Sequence, residues 1–128
     1  MKQESYLFEY AVIRIVPHVE REEFVNAGVI LYCSKKKFLK TRTRLNEHRV
    51  KALCEKTDLE ELSINLDSFS RIAEGQDGSG PIGKLPVVER FRWLTATRST
   101  VVQTSKVHPG LCTDPDEMLD RLFNQLVV

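Results

Sequence analysis

Residues 6–32, YLFEYAVIRIVPHVEREEFVNAGVILY, constrain the fold more than any other stretch of the chain. Two β-rich apolar runs, residues 7–16 and 24–33, flank a polar bend that opens at Pro17. In the first run Phe8, Tyr10, Val12, Arg14 and Val16 point one way, and Leu7, Ala11, Ile13 and Ile15 the other. Apolar side chains on both sides predict a central strand. Pro17 has no N–H for a ladder, so pairing should stop there. In the second run strict alternation puts Val25, Ala27, Val29 and Leu31 on one face, and Asn26, Gly28, Ile30 and Tyr32 on the other. Arg14 and Asn26 do not belong in plain core strands. A charge and an amide set among apolar neighbours need partners, which means an internal network or a site.

The length of 128 residues predicts a single domain, residues 1–128. The longest apolar run, residues 27–33, is far too short to span a bilayer. The opening MKQES lacks the basic-then-apolar pattern of a secretory signal. Cys33, Cys54 and Cys112 follow neither a disulfide framework nor a zinc spacing. Reduced thiols in a cytoplasmic protein are the expectation. Net charge is only +1, which argues against a dedicated nucleic-acid binder. The charge is blocked, however: residues 1–34 carry −2, 35–51 carry +7, 52–83 carry −5, 84–106 carry +4 and 107–128 carry −3. Blocks of this kind face one another in a fold, solvate opposite surfaces, or mark an anion-binding face.

A third strand is expected over residues 38–45, with Lys40, Arg42 and Arg44 on one face, as on an edge kept soluble by charge. Asn46 caps a short helix through Cys54, with Leu45 and Val50 as a hydrophobic staple. Thr57-Asp58-Leu59-Glu60 reads as a capping box opening a longer helix that Gly75 ends. Residues 75–85 form a glycine-rich flexible loop. Pro86 opens a third helix to about Ala96, and residues 99–105 are β-prone. Asp114-Pro115-Asp116-Glu117 starts a last helix with Met118, Leu119, Leu122, Phe123 and Leu126 as its buried stripe. The order β-β-β-α-α-α-β-α predicts an α+β fold, a mostly antiparallel sheet of about four strands with helices on one face.

Four places bear on function. Residues 78–84, GSGPIGK, fit the first seven positions of a phosphate-binding P-loop, but Leu85 stands where a hydroxyl should hold magnesium, and the segment follows a helix. A surface loop is the commoner identity of such a stretch. Arg14 either binds an external carboxylate or phosphate, or pairs internally with a residue such as Glu9, Glu23 or a helix carboxylate; internal pairing is the commoner case. Glu89-Arg90-Phe91-Arg92-Trp93, with Arg98-Ser99-Thr100 after it, is either a cationic ledge beside an aromatic platform or a solvated helix face around a core Trp93. His18, His48 and His108 have no metal-ligand spacing, so neither a metal site nor a cofactor is expected. The candidate anion ligands are therefore Arg14, Asn26, Arg90, Arg98 and Ser99. The candidate partner surface is Lys40, Arg42, Arg44, Gly80 and Lys84.

YAVIRIVPHVEREEFVNAGVILY, GPIG, ERFRWLTATRST and LDRLFNQLV together resemble a bacterial family known only as a domain of unknown function. The resemblance covers nearly the whole chain and brings no activity or catalytic residue. It implies a stand-alone bacterial cytosolic domain, and a HipA-like kinase-related protein as a candidate partner. The expectation is a non-catalytic accessory or partner-binding module. The alternative is an enzyme or ligand-binding domain for a phosphorylated small molecule or nucleotide held by an arginine cluster.

Overall fold

A computed structural model describes residues 4–128 of the chain. The expectation about the N-terminal leader falls partly on residues 1–3, outside the described residues. Three strands come first: β1 (Tyr6–Ile15), β2 (Val25–Cys33) and β3 (Phe38–Thr43). The helices α1 (Glu47–Leu53), α2 (Leu59–Glu74) and α3 (Val87–Leu94) follow. The chain closes with β4 (Val102–Thr104), β5 (His108–Cys112) and α4 (Pro115–Leu126). The strands form one antiparallel sheet in the order β3-β2-β1-β4, with β5 also paired to β1. The α+β class and the mostly antiparallel sheet are as the sequence predicts.

The helix ends follow local chemistry. The Asn46 side chain accepts from Arg49 N–H, and Leu45 and Val50 pack in one cluster. Asp58 rather than Thr57 caps α2, accepting from Glu61 N–H, while the Thr57 hydroxyl donates to Cys54 O. Asp114 caps α4 by accepting from the N–H groups of Asp116 and Glu117.

Three features depart from the sequence pattern. First, β5 is an extra strand. It carries Pro109 and Gly110 and leaves Leu111 exposed, so no alternation announced it. Second, helices cover both faces. Ala11, Ile13 and Ile15 of β1 pack with Leu62, Leu66, Phe69 and Ala73 of α2 and with Phe91 and Leu94 of α3. Phe8 of β1 and Val29, Leu31 and Cys33 of β2 pack instead with Leu119 and Leu122 of α4. A strand that is apolar on both sides requires exactly such cover on each, and one helical layer would leave half of it wet. Third, a bulge re-phases β2. Gly28 pairs with Ile13 and Asn26 with Arg14, so Ala27 is the extra residue. Val25 and Ala27 therefore share a core with Ile30 and Tyr32. Strict alternation had separated these pairs.

The far edge of β1 is shared by two strands, and Ser105 closes the gap between them. Its hydroxyl accepts from Val12 N–H at 2.8 Å, and its own N–H donates to Val12 O at 2.8 Å. Ser105 is the one polar residue among the buried positions described. Ser105→Ala leaves the buried Val12 N–H without its hydroxyl partner. Urea unfolding should show a loss of about 1–3 kcal/mol, the range for a buried donor left unmade. A change within about 0.5 kcal/mol, the scale of an ordinary surface substitution, would mean that the ladder closes without the hydroxyl.

Candidate functional site

The bulge brings Asn26 onto the α4 face of the sheet, directly beside Arg14. On the other side of Arg14 the register sets Gln103 of β4. Asn26, Arg14 and Gln103 thus form a polar row across three strands. Helix α4 packs on β2 and β3, and its last turn meets only the Asn26 end of the row. Arg14 and Gln103 open instead into a cavity of about 370 Å³ that Val16, Val19, Glu22, Phe24, Thr97, Arg98 and Ser99 also line.

Arg14 is held by an aromatic contact. Its guanidinium carbon lies 4.0 Å from the centroid of the Phe24 ring, a cation–π distance. Its Nε is buried and has no hydrogen-bond partner among the described residues. None of the ion pairs found among the described residues includes it. The internal pairing with Glu9 or Glu23 is absent: Glu9 holds Arg92 by two bonds of 2.8 and 2.9 Å, and Glu23 holds Arg21. Asn26 donates from Nδ2 to Leu126 O at 2.9 Å, while its Oδ1 is buried without a partner. That bond ties α4 to β2 at its last turn.

Arg98, in the loop after α3, also lines the cavity. Its guanidinium carbon stands 4.4 Å from the Trp93 ring centroid. It donates to Trp93 O and, at 3.4 Å, to Ala96 O, satisfying carbonyls at the end of α3. Gln103 donates to Thr100 O at 2.6 Å and so fixes the loop that carries Ser99. Of the five candidate anion ligands, Arg14, Arg98 and Ser99 line one cavity. Asn26 adjoins Arg14 but serves α4. Arg90 lies elsewhere: it donates to Ala73 O at 3.3 Å and to Leu85 O at 2.7 Å, clamping both ends of the glycine-rich loop. The sequence reading missed Phe24, Glu22 and Gln103. Their proximity depends on strand register, which residue type alone does not give.

The five candidate partner-surface residues do not converge. Lys40 pairs with Asp116 at 3.7 Å and Arg42 with Asp120 at 2.8 Å, so these strand cations hold α4 on the sheet. Arg44 is exposed just past β3. Gly80 and Lys84 belong to the loop after α2, on the other side of the sheet from α4. That loop is no phosphate cradle. Ser79 donates to Gln76 O and fills the space beside Gly83, where an added Cβ would meet its Oγ at 1.8 Å. Among the described residues no group of three His, Cys, Asp or Glu side chains is arranged to hold a metal ion.

An unpartnered guanidinium contributes nothing to folding that an apolar side chain on Phe24 would not match. Arg14→Leu should therefore unfold in urea at the wild-type midpoint or above it. A loss of about 3 kcal/mol or more, the scale of breaking a buried pair, would make Arg14 a structural brace. Arg90→Ala should behave oppositely, losing about 1–3 kcal/mol and becoming more readily cleaved within residues 76–85 by a broad-specificity protease.

No curated protein and no solved structure matches the chain. A family model does match, over residues 10–127, a span that includes every residue lining the cavity. It is described as "Protein of unknown function (DUF3037)", and the chain belongs to that family.

Proposed function

We propose that this domain is a non-catalytic recognition module of the bacterial cytosol that binds a partner through an anionic group held between Arg14 and Arg98. The observation that carries this reading is the Arg14 guanidinium, stacked on Phe24 beside an open cavity and without an ion pair among the described residues. A guanidinium so placed favours a ligand oxygen, because a cation with no carboxylate of its own gains a charge-assisted bond from an incoming anion. Guanidinium groups keep their protons at any physiological pH, so the two arginines bind and orient rather than transfer protons. Among the described residues the cavity lining holds Glu22, Thr97 and Ser99 but no histidine, cysteine or lysine. The family resemblance supports an accessory role and makes a HipA-like kinase-related protein the partner to test first.

A second reading uses the same residues. Two guanidiniums and a cavity of about 370 Å³ also suit a phosphorylated small molecule or nucleotide. Two measurements bear on the choice. Tagged wild-type protein should copurify with the kinase-related protein from the same cells, and Arg14→Leu should retain much less of it. Thermal unfolding separates the second reading: a nucleotide or phosphosugar at a hundredfold its dissociation constant adds about 2.7 kcal/mol, several degrees in Tm. A partner retained equally by wild type and Arg14→Leu, with no thermal shift from any anion, would remove this cavity from the function.

A further inference from the structure

We infer that the group this cavity takes is a carboxylate carried on an apolar residue whose N–H is also recognised, the chemistry of a C-terminal amino acid. This rests on the reading of the cavity as an anion site and narrows it to one ligand class. Charge is the first argument. Arg14 and Arg98 bring two positive charges and Glu22 one negative, so the lining matches a single anionic charge. A phosphoserine carries about −1.5 to −2 at neutral pH, and a nucleoside triphosphate carries more. Either would set surplus charge against Glu22.

Shape and polarity agree. Phe24 covers one face of Arg14 and Trp93 one face of Arg98. Arg98 already gives Nε and Nη2 to the carbonyls of Ala96 and Trp93, so the two parallel bonds of a planar carboxylate fall to the terminal nitrogens of Arg14, with Arg98 adding charge and its remaining N–H groups. The volume of about 370 Å³ holds on the order of ten water-sized groups, far more than a carboxylate fills. The additional space is walled by Val16, Val19 and Phe24, the last 44% exposed, which suits an apolar side chain. An acceptor also stands beside the cations. Gln103 spends its Nε2 on Thr100 O, which leaves its Oε1 for a ligand N–H. A simple fatty acid has no such donor; the last residue of a peptide does.

Two sources share this chemistry, a chain terminus and a free N-acyl amino acid, and binding to the full-length domain separates them. The probe is a fluorescein-labelled Gly/Ser pentapeptide ending in phenylalanine with a free carboxylate. Its anisotropy should rise with added protein. C-terminal amidation should weaken binding by about tenfold or more, the worth of a charge-assisted bond, and Arg14→Leu should do the same. N-acetylphenylalanine competing as well as the unlabelled pentapeptide assigns the small-molecule source, and weaker competition assigns the chain terminus. Glu22→Gln, at an exposed position, gives an independent check: affinity for an amidated phosphoserine peptide should rise several-fold, with little change for the free-acid peptide. If the phosphoserine peptide or inorganic phosphate outcompetes the free acid in wild type, the anion site stands and the carboxylate assignment falls. Equal binding of the amidated and free-acid pentapeptides also overturns the assignment. If none of these probes binds, both the assignment and the anion site fall.

Discussion

The structure depends on β1. Its residues 9–15 pair with β2 on one edge, while the other edge is divided between β5 along residues 6–10 and β4 along residues 13–15. Because β1 and β2 are apolar on both faces, neither can lie at the surface, and every helix is positioned by the need to cover them. Fully burying a Val, Leu, Ile or Phe side chain is worth about 1.5–3 kcal/mol, so an uncovered face would forfeit several such terms at once. Helices α2 and α3 cover one side, and α4 covers part of the other. The uncovered part is where Arg14 lies.

The bulge at Ala27 converts this scaffold into a site. Without it, Asn26 would lie on the α2 side, among Ala11, Ile13 and Ile15, with no carbonyl of α4 to accept from its amide. With it, Asn26 anchors the last turn of α4 and the polar row across the sheet is continuous. Arg49 reinforces that anchor by donating to Val127 O at 3.4 Å. One extra residue in one strand therefore settles both where the last helix ends and which face carries the polar groups. Two buried polar atoms remain unsatisfied there, Arg14 Nε and Asn26 Oδ1, each costing about 1–3 kcal/mol. Stability alone gives no reason to keep them side by side.

Most of the scaffold was legible in the sequence because it rests on local rules. Period-two alternation marked β1 to β3, and Asn46 and Asp114 marked two helix starts by the chemistry of their side chains. The rest was set by non-local pairing. Nothing within residues 108–112 says that Pro109 and Gly110 lie in a strand, since only β1 supplies the ladder. The bulge shifts register by one residue, and neither Asn26 nor Ala27 is a residue type that announces it. Arg14 was conspicuous as a charge in an apolar strand, and Arg98 as part of a basic cluster following Trp93. Arg90 resembled them in sequence, but its direction around α3 turns it onto the end of α2, and residue type does not specify direction. The alternating charge blocks carried real information: the basic strand and the acidic final helix do face each other.

That pairing of blocks sharpens what is unusual about Arg14. Lys40 and Arg42 meet Asp116 and Asp120, and Arg92 meets Glu9 through two bonds, which push its pKa up. These cations are all more than half exposed, where an ion pair is worth about 0–1 kcal/mol. Arg14 is less exposed, on the central strand, and there a missing partner costs more than anywhere on the rim. A chain arranged for stability would place its carboxylates in the reverse order, nearest a more enclosed cation such as Arg14. Glu22 lines the same cavity, yet no ion pair joins it to Arg14. The charge distribution therefore neutralises the cations that need it least and keeps available the one with most to gain from an incoming anion.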